Sequence, residues 1–293
     1  MNTAAKMGLS ALVSGLFLAS CGEADDVGDH RPMISPDGTE VVFMSSRTGD
    51  WELYLMNIDG SGVRQLTDHP GWDGYAVWAP DGTGFIFDRE ANGVKAAYKY
   101  DLIRDEAVPF IAIEGAWPAV NSWSPSGNTL VLFVDRDNSR DLYFADADGT
   151  NIRVLMETPD ENEHDAHFSP DGVNLAYAVD LGDAGARLDV LNLQTDDLFN
   201  FVESTGYLYG LAWSPDGTKI AYTDTRDGDQ ELFILDFGTG EIDQLTDNQD
   251  VDHMPVWMPD GEALLFTSYR SGREEMYILD LATGEVIPFD TGL

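Results

Sequence analysis

A short turn motif returns along this chain at a pitch that leaves few folds open. It reads Ser35-Pro36-Asp37-Gly38 at first appearance, and its prolines recur at Pro80, Pro125, Pro170, Pro215 and Pro259. The successive intervals are 44, 45, 45, 45 and 44 residues, and the third copy carries Ser126 in place of aspartate. A period this strict is the signature of an array of one repeated unit.

Each unit has strand character. An apolar or aromatic residue stands two before every proline: Ile34, Trp78, Trp123, Phe168, Trp213 and Trp257. Proline presets the backbone at the second position of a turn and glycine accepts a positive φ, so the motif reverses the chain between two strands. A second run follows at residues 41–44, 85–88, 130–134, 175–178, 220–223 and 263–267, and then a polar turn. Segments such as 52–56, 141–145, 231–235 and 275–279 next alternate polar with apolar residues, the period of a strand. Short segments such as 63–67 and 242–246 supply a fourth strand. Four strands per unit in six units predict an all-β, six-bladed propeller of four-stranded antiparallel blades. The phase, from Asp29 to Asp290, makes each blade one continuous segment, so the ring should close by side-chain packing without a shared strand. The tryptophans before the turns are expected to pack between blades.

The unit written Asp252-His253-Met254-Pro255-Val256-Trp257-Met258-Pro259-Asp260-Gly261 resembles the propeller repeat of the TolB family, also described as the WD40-like PD40 repeat. So do Ser45-Ser46-Arg47 ahead of Trp51-Glu52-Leu53-Tyr54, and Gln65-Leu66-Thr67. The resemblance covers residues 29–290. It implies a protein or glycan contact surface and no particular reaction.

The first residues read as an address. Lys6 is the only charge in residues 1–20, an apolar run follows from Met7 to Ala19, and Leu18-Ala19-Ser20-Cys21 looks like a bacterial lipobox. A basic start and a run too short to span a bilayer comfortably describe an export signal over 1–20. Cys21 would be the lipidated first residue, with 21–28 as a tether of roughly 25 Å to a propeller over 29–293. Gly22 is not an aspartate, which favours an outer-membrane position facing the periplasm over the inner membrane or the cell surface. Cys21 is also the only cysteine, which excludes an internal disulfide and a thiolate metal site.

Charge excludes further classes. The chain holds 53 acidic against 16 basic residues, a formal net charge of −37. Such a surface repels nucleic acid and anionic lipid. Solubility in high salt and a specific basic partner or calcium are alternative origins of the acidity.

A candidate site follows from the repeat register. Loops leading into the innermost strands surround one mouth of a propeller's channel. Six before each proline stand His30, Gly74, Ala119, His164, Tyr209 and His253, and acids precede four of these positions as Asp29, Asp73, Glu163 and Asp252. Eight before the proline, the units without histidine carry Trp72, Trp117 and Tyr207. Aromatic faces supply contact area at low entropy cost while charges fix orientation, the mixture a recognition surface needs. The same residues admit other readings. The acid and histidine pairs could serve only to tie strands to loops, or neutral imidazole backed by carboxylate could hold a metal. His164 would lie across the ring from His30 and His253, out of reach of one shared ion. Arg47, Arg226 and Arg270 share a register and are expected to pair with turn acids. Residues 227–229 and 146–149 lack the ligand spacing of a calcium-binding EF-hand and read as turns.

No Gly-x-Ser-x-Gly elbow and no His-Glu-x-x-His helix occurs after the signal, and no catalytic residue, metal or cofactor is assigned. The expectation is a monomeric, non-enzymatic scaffold in the cell envelope that binds an envelope protein or glycan at the channel mouth. A polysaccharide-binding protein, or a lyase or glycosidase working through the mouth histidines and carboxylates, is the alternative.

Overall fold

The computed structural model describes residues 27–137, 139–159, 161–226 and 228–292. The export signal, Cys21 and most of the tether lie outside them. No helix among the described residues is long and apolar enough to cross a membrane.

The chain forms six antiparallel sheets, and in each the four strands are hydrogen-bonded in sequence order. Every blade is therefore one continuous segment. The first strands are Asp29–Ile34, Trp72–Trp78, Trp117–Trp123, Asn162–Phe168, Leu208–Trp213 and Asp252–Trp257. Each touches the first strand of the blade on either side, so these strands line the axis of the ring. The fourth strands stand at the rim; that of blade one is only Arg64–Gln65 and that of blade six Val286–Pro288. Such short edges offer little backbone for pairing with another chain.

The repeated turn forms for the reasons its residues give. In blade one Gly38 N–H donates to the Ser35 carbonyl at 2.9 Å with φ of 74°, and Asp37 accepts from Ser35 Oγ at 2.7 Å. The tryptophans do pack between blades, and they also stitch them. Trp78, Trp213 and Trp257 each donate the indole N–H to a backbone carbonyl of the preceding blade, at Met33, His167 and Ala212, over 2.9, 3.0 and 2.9 Å.

The second strands carry the core. In Glu40–Ser45, Val41 and Phe43 face blade six while Val42 and Met44 face blade two, the alternation that a fully covered strand requires. At the seam Val41, Phe43, Tyr54 and Met56 of blade one bury themselves against Leu265, Met276 and Phe289. Two hydrogen bonds bridge the same gap: Asp29 N–H to the Glu274 carbonyl at 2.9 Å, and Arg31 N–H to Thr267 Oγ1 at 3.2 Å. Among the described residues the ring closes by packing, with no strand shared between its ends.

Candidate functional site

The first strand of every blade begins at the same end of the ring as the turns between second and third strands; the Pro-Asp-Gly turns lie at the other end. That first end is the mouth. Its geometry is set by an irregularity in the inner strands. Pairing of first with second strand slips by one residue in all six blades. In five of them a residue five before the proline takes positive φ: Arg31, Tyr75, Asp165, Gly210 and Met254. This is a β-bulge, which adds a residue and re-aims the side chains beside it. The bulges are held by the preceding blade, as where Met254 N–H donates to Thr223 Oγ1 at 3.1 Å.

The acids expected at the mouth are scaffold. Asp29, Asp73, Glu163 and Asp252 are all buried. Asp29 pairs with Arg47 at 2.8 Å, Asp73 with Arg89 at 2.5 Å and Asp252 with Arg270 at 2.9 Å. Arg47 and Arg270 clamp the start of the first strand to the turn after the second, while Arg89 lies within the second strand directly opposite Asp73. In blade five Arg226 pairs instead with Asp224, the last residue of the second strand. Glu163 has no arginine in its register, and burial raises its carboxyl above the usual range.

The histidines divide as their blades do. His30 and His253 meet at the seam on one carboxylate: His30 Nδ1 is 3.3 Å from Glu274 Oε2, and His253 Nε2 is 4.0 Å from Oε1. His30 also packs on the Trp51 ring at 4.3 Å. Burial pushes His253 down to about 3 against the pull of Glu274, so the imidazole is neutral at physiological pH. Burial works to raise Glu274, yet His30, through its charge and hydrogen bond, and a hydrogen bond from Tyr269 outweigh it and hold the carboxyl down at about 2. Neither ring nitrogen of His253 has a hydrogen-bond partner among the described residues. His164 stands apart in blade four; burial, and then the charge of Arg140, lower it to about 4. Beside it Asp165 accepts from Leu211 N–H at 2.8 Å and lies 3.0 Å from His167 Nε2. Among the described residues no group of three or more His, Cys, Asp or Glu is arranged to hold a metal ion.

Trp72 and Trp117 do come together, through a residue the register did not single out. The Tyr75 ring is 4.8 Å from Trp72 and 6.2 Å from Trp117. Cations lie on this wall: the Arg31 guanidinium over Tyr75 at 3.8 Å and the Lys95 ammonium over Trp117 at 4.1 Å. Trp117 Nε1 donates to the buried Asp88 at 3.2 Å. Tyr207 begins blade five, its N–H donating to Thr225 Oγ1 at 2.7 Å, and Tyr209 donates its hydroxyl to Gln230. Arg31, Tyr75 and Asp165 share the bulge position five before the proline, a register readable in the sequence. Asp88 comes from a second strand, Lys95 from the start of a third and Glu274 from the turn between second and third, and they share no register.

The fold and this site define a six-bladed β-propeller whose axial mouth gathers side chains from every blade. Sequence comparison matches the chain to PD40, described as the TolB beta propeller domain, over residues 27–163 and 131–291, and the chain belongs to that family. It is 33% identical over 128 residues to a "Protein TolB homolog" of Chlorobaculum tepidum, covering 41% of this chain and 27% of that protein. The chain thus spans about a quarter of the length of that curated relative. The solved structure of TolB from Acinetobacter baumannii superposes with a TM-score of 0.71 at 18% identity, over 98% of this chain and 70% of that one. An oligogalacturonate lyase in complex with manganese gives 0.59 at 16%, over 86% and 90%. At these identities the structural likeness speaks to fold.

Proposed function

We propose that the protein is a monomeric, non-enzymatic binding platform of the cell envelope that captures a protein partner at its channel mouth. The observation that carries this reading is the aromatic wall of Trp72, Tyr75 and Trp117 with Arg31 and Lys95 laid upon it. Large rings that are partly exposed, rigidly packed and flanked by charge are the composition of binding hot spots. Membership of the TolB propeller family supports the protein-binding reading. The lipobox ending at Cys21 supports a lipid anchor, with the outer membrane facing the periplasm as the favoured site. His30, His164 and Tyr207 complete the rim, while the buried His253, Asp29, Asp73, Glu163 and Asp252 fix its shape from behind.

The test is capture from the envelope of the native cell by the full chain, beside its Trp72→Ala, Trp117→Ala double variant. Loss of two hot-spot rings should weaken retention of the partner at least about tenfold, while the variant still unfolds in one cooperative transition. Undiminished retention by a folded variant refutes binding at the mouth.

A further inference from the structure

We infer that the joint between blades six and one is an acid-sensitive latch, in which histidines of the two blades share the Glu274 carboxylate and acidification loosens that side of the mouth. The latch belongs to the ring itself and goes beyond the binding-platform reading.

Its place is where the ring is held least. Consecutive blades are also joined by connecting backbone, whereas blades six and one share no strand among the described residues. Only there do neighbouring blades both carry histidine six before the proline, as His253 and His30. His30 Nδ1 stands 3.3 Å from Glu274 Oε2 and His253 Nε2 4.0 Å from Oε1, and none of the three side chains is more than 13% exposed.

The turn that carries Glu274 is also the contact through which the chain enters the ring. The Glu274 carbonyl accepts Asp29 N–H at 2.9 Å. A side chain at Gly28 would stand 3.0 Å from Glu274 Cβ and 3.2 Å from its carbonyl oxygen, so the two segments pass too closely to shift independently. Whatever disturbs Glu274 therefore disturbs the closure.

The closed seam resists a proton at His253. Neither ring nitrogen has a hydrogen-bond partner among the described residues, so protonation there would bury a charge without an acceptor in reach. The charged and ionisable groups that face the imidazole are Glu274 of its own blade and His30 and Arg31 of blade one. Tyr269 and Tyr209 act on Glu274 in turn. Asp29, Asp252 and Asp224 are each paired with an arginine, and Glu231 of blade five acts on Asp252. Burial takes His253 from the ordinary 6.5 down to about 3 against the pull of Glu274. An opened seam takes up the proton first, so the stability of the closed seam is complete above about pH 6.5 and is lost as the pH falls toward about 3. Glu274, held at about 2 against an ordinary 4.5, adds a loss of the same sign below pH 4.5. Burial raises Asp88, Glu163 and Glu231, which gives them the opposite sign, so the latch must be read locally.

Hydrogen exchange of the full chain, expressed as protection factors at about pH 7.5 and about pH 5, reads it segment by segment. Residues 28–34 and 270–276 should lose protection at least about tenfold on acidification, the linkage expected of one histidine released from burial. Residues 129–136 of blade three should keep theirs. His253→Gln, which has no imidazole to protonate, should abolish the loss, and His164→Gln, across the ring, should leave it in place. No loss in the native chain, a loss of the same size in 129–136, an undiminished loss in His253→Gln or its removal by His164→Gln overturns the inference. If His253→Gln does not fold, the comparison of the seam with blade three in the native chain decides by itself. The measurement involves no partner, so a failed latch leaves the mouth reading to the Trp72, Trp117 capture experiment.

Discussion

Replacing Phe43 by alanine should destabilise the ring by about 3–5 kcal/mol, the cost of removing a buried phenylalanine from a packed core. Phe43 has no exposed surface and lies between Val41, Tyr54 and Met56 of its own blade and Leu265 and Met276 of blade six. Among the described residues no strand crosses that seam. Side-chain contact must do what a shared strand would otherwise do, and the backbone bond from Asp29 to Glu274 is too small a contribution to substitute for it. A thermal melt should fall by on the order of 10 °C, at roughly 2–4 °C per kcal/mol for a domain of this size. A loss below about 1 kcal/mol would mean that the cluster is peripheral to closure.

Arg270→Ala should cost a comparable amount, about 3–5 kcal/mol, for an electrostatic reason. Asp252 is fully buried and accepts from Arg270 Nη2 at 2.9 and 3.0 Å, from Ser268 Oγ at 2.5 Å and from Asn248 Nδ2 at 2.7 Å. Without the guanidinium a carboxylate is left in the interior with only neutral donors. The double variant Asp252→Ala, Arg270→Ala removes that stranded charge and should recover more than half of the loss in an equilibrium unfolding titration. If the single variant melts like the parent, Asp252 is not the clamp the geometry makes it.

The architecture was legible because its signals are local and repeated. A proline, a glycine and an aromatic two residues upstream say where a strand ends, and six copies say what the strands assemble into. The tryptophan indoles reaching the preceding blade follow from the same register. The site was legible in part. Counting back from the proline found His30 and His253, and these do meet at the seam, while His164 stands across the ring. Counting also found Trp72 and Trp117, which share the wall. It did not foresee that Asp29, Asp73 and Asp252 are buried against arginines, because an acid at the head of a strand looks the same whether it faces solvent or a neighbouring guanidinium. The arginines are in the sequence, yet the pairing depends on a turn folding back. The bulge was the larger omission. Side chains in a strand alternate sides, so one inserted residue changes which of them face the axis. Arg31, Tyr75 and Met254 are not residue types that announce a left-handed backbone. Lys95, Asp88 and Glu274 arrive at the mouth from elsewhere in their blades, a convergence that only the closed ring produces.

A photo-crosslinking residue placed at Tyr207, on the rim of the mouth, and separately at Asp216, in the turn at the opposite end of the same blade, asks directly which end of the ring meets the partner. Irradiation in the native envelope should join the partner to the chain from position 207 and not from position 216. Crosslinking from position 216 alone would place recognition at the wrong end of the ring and remove the mouth from the mechanism.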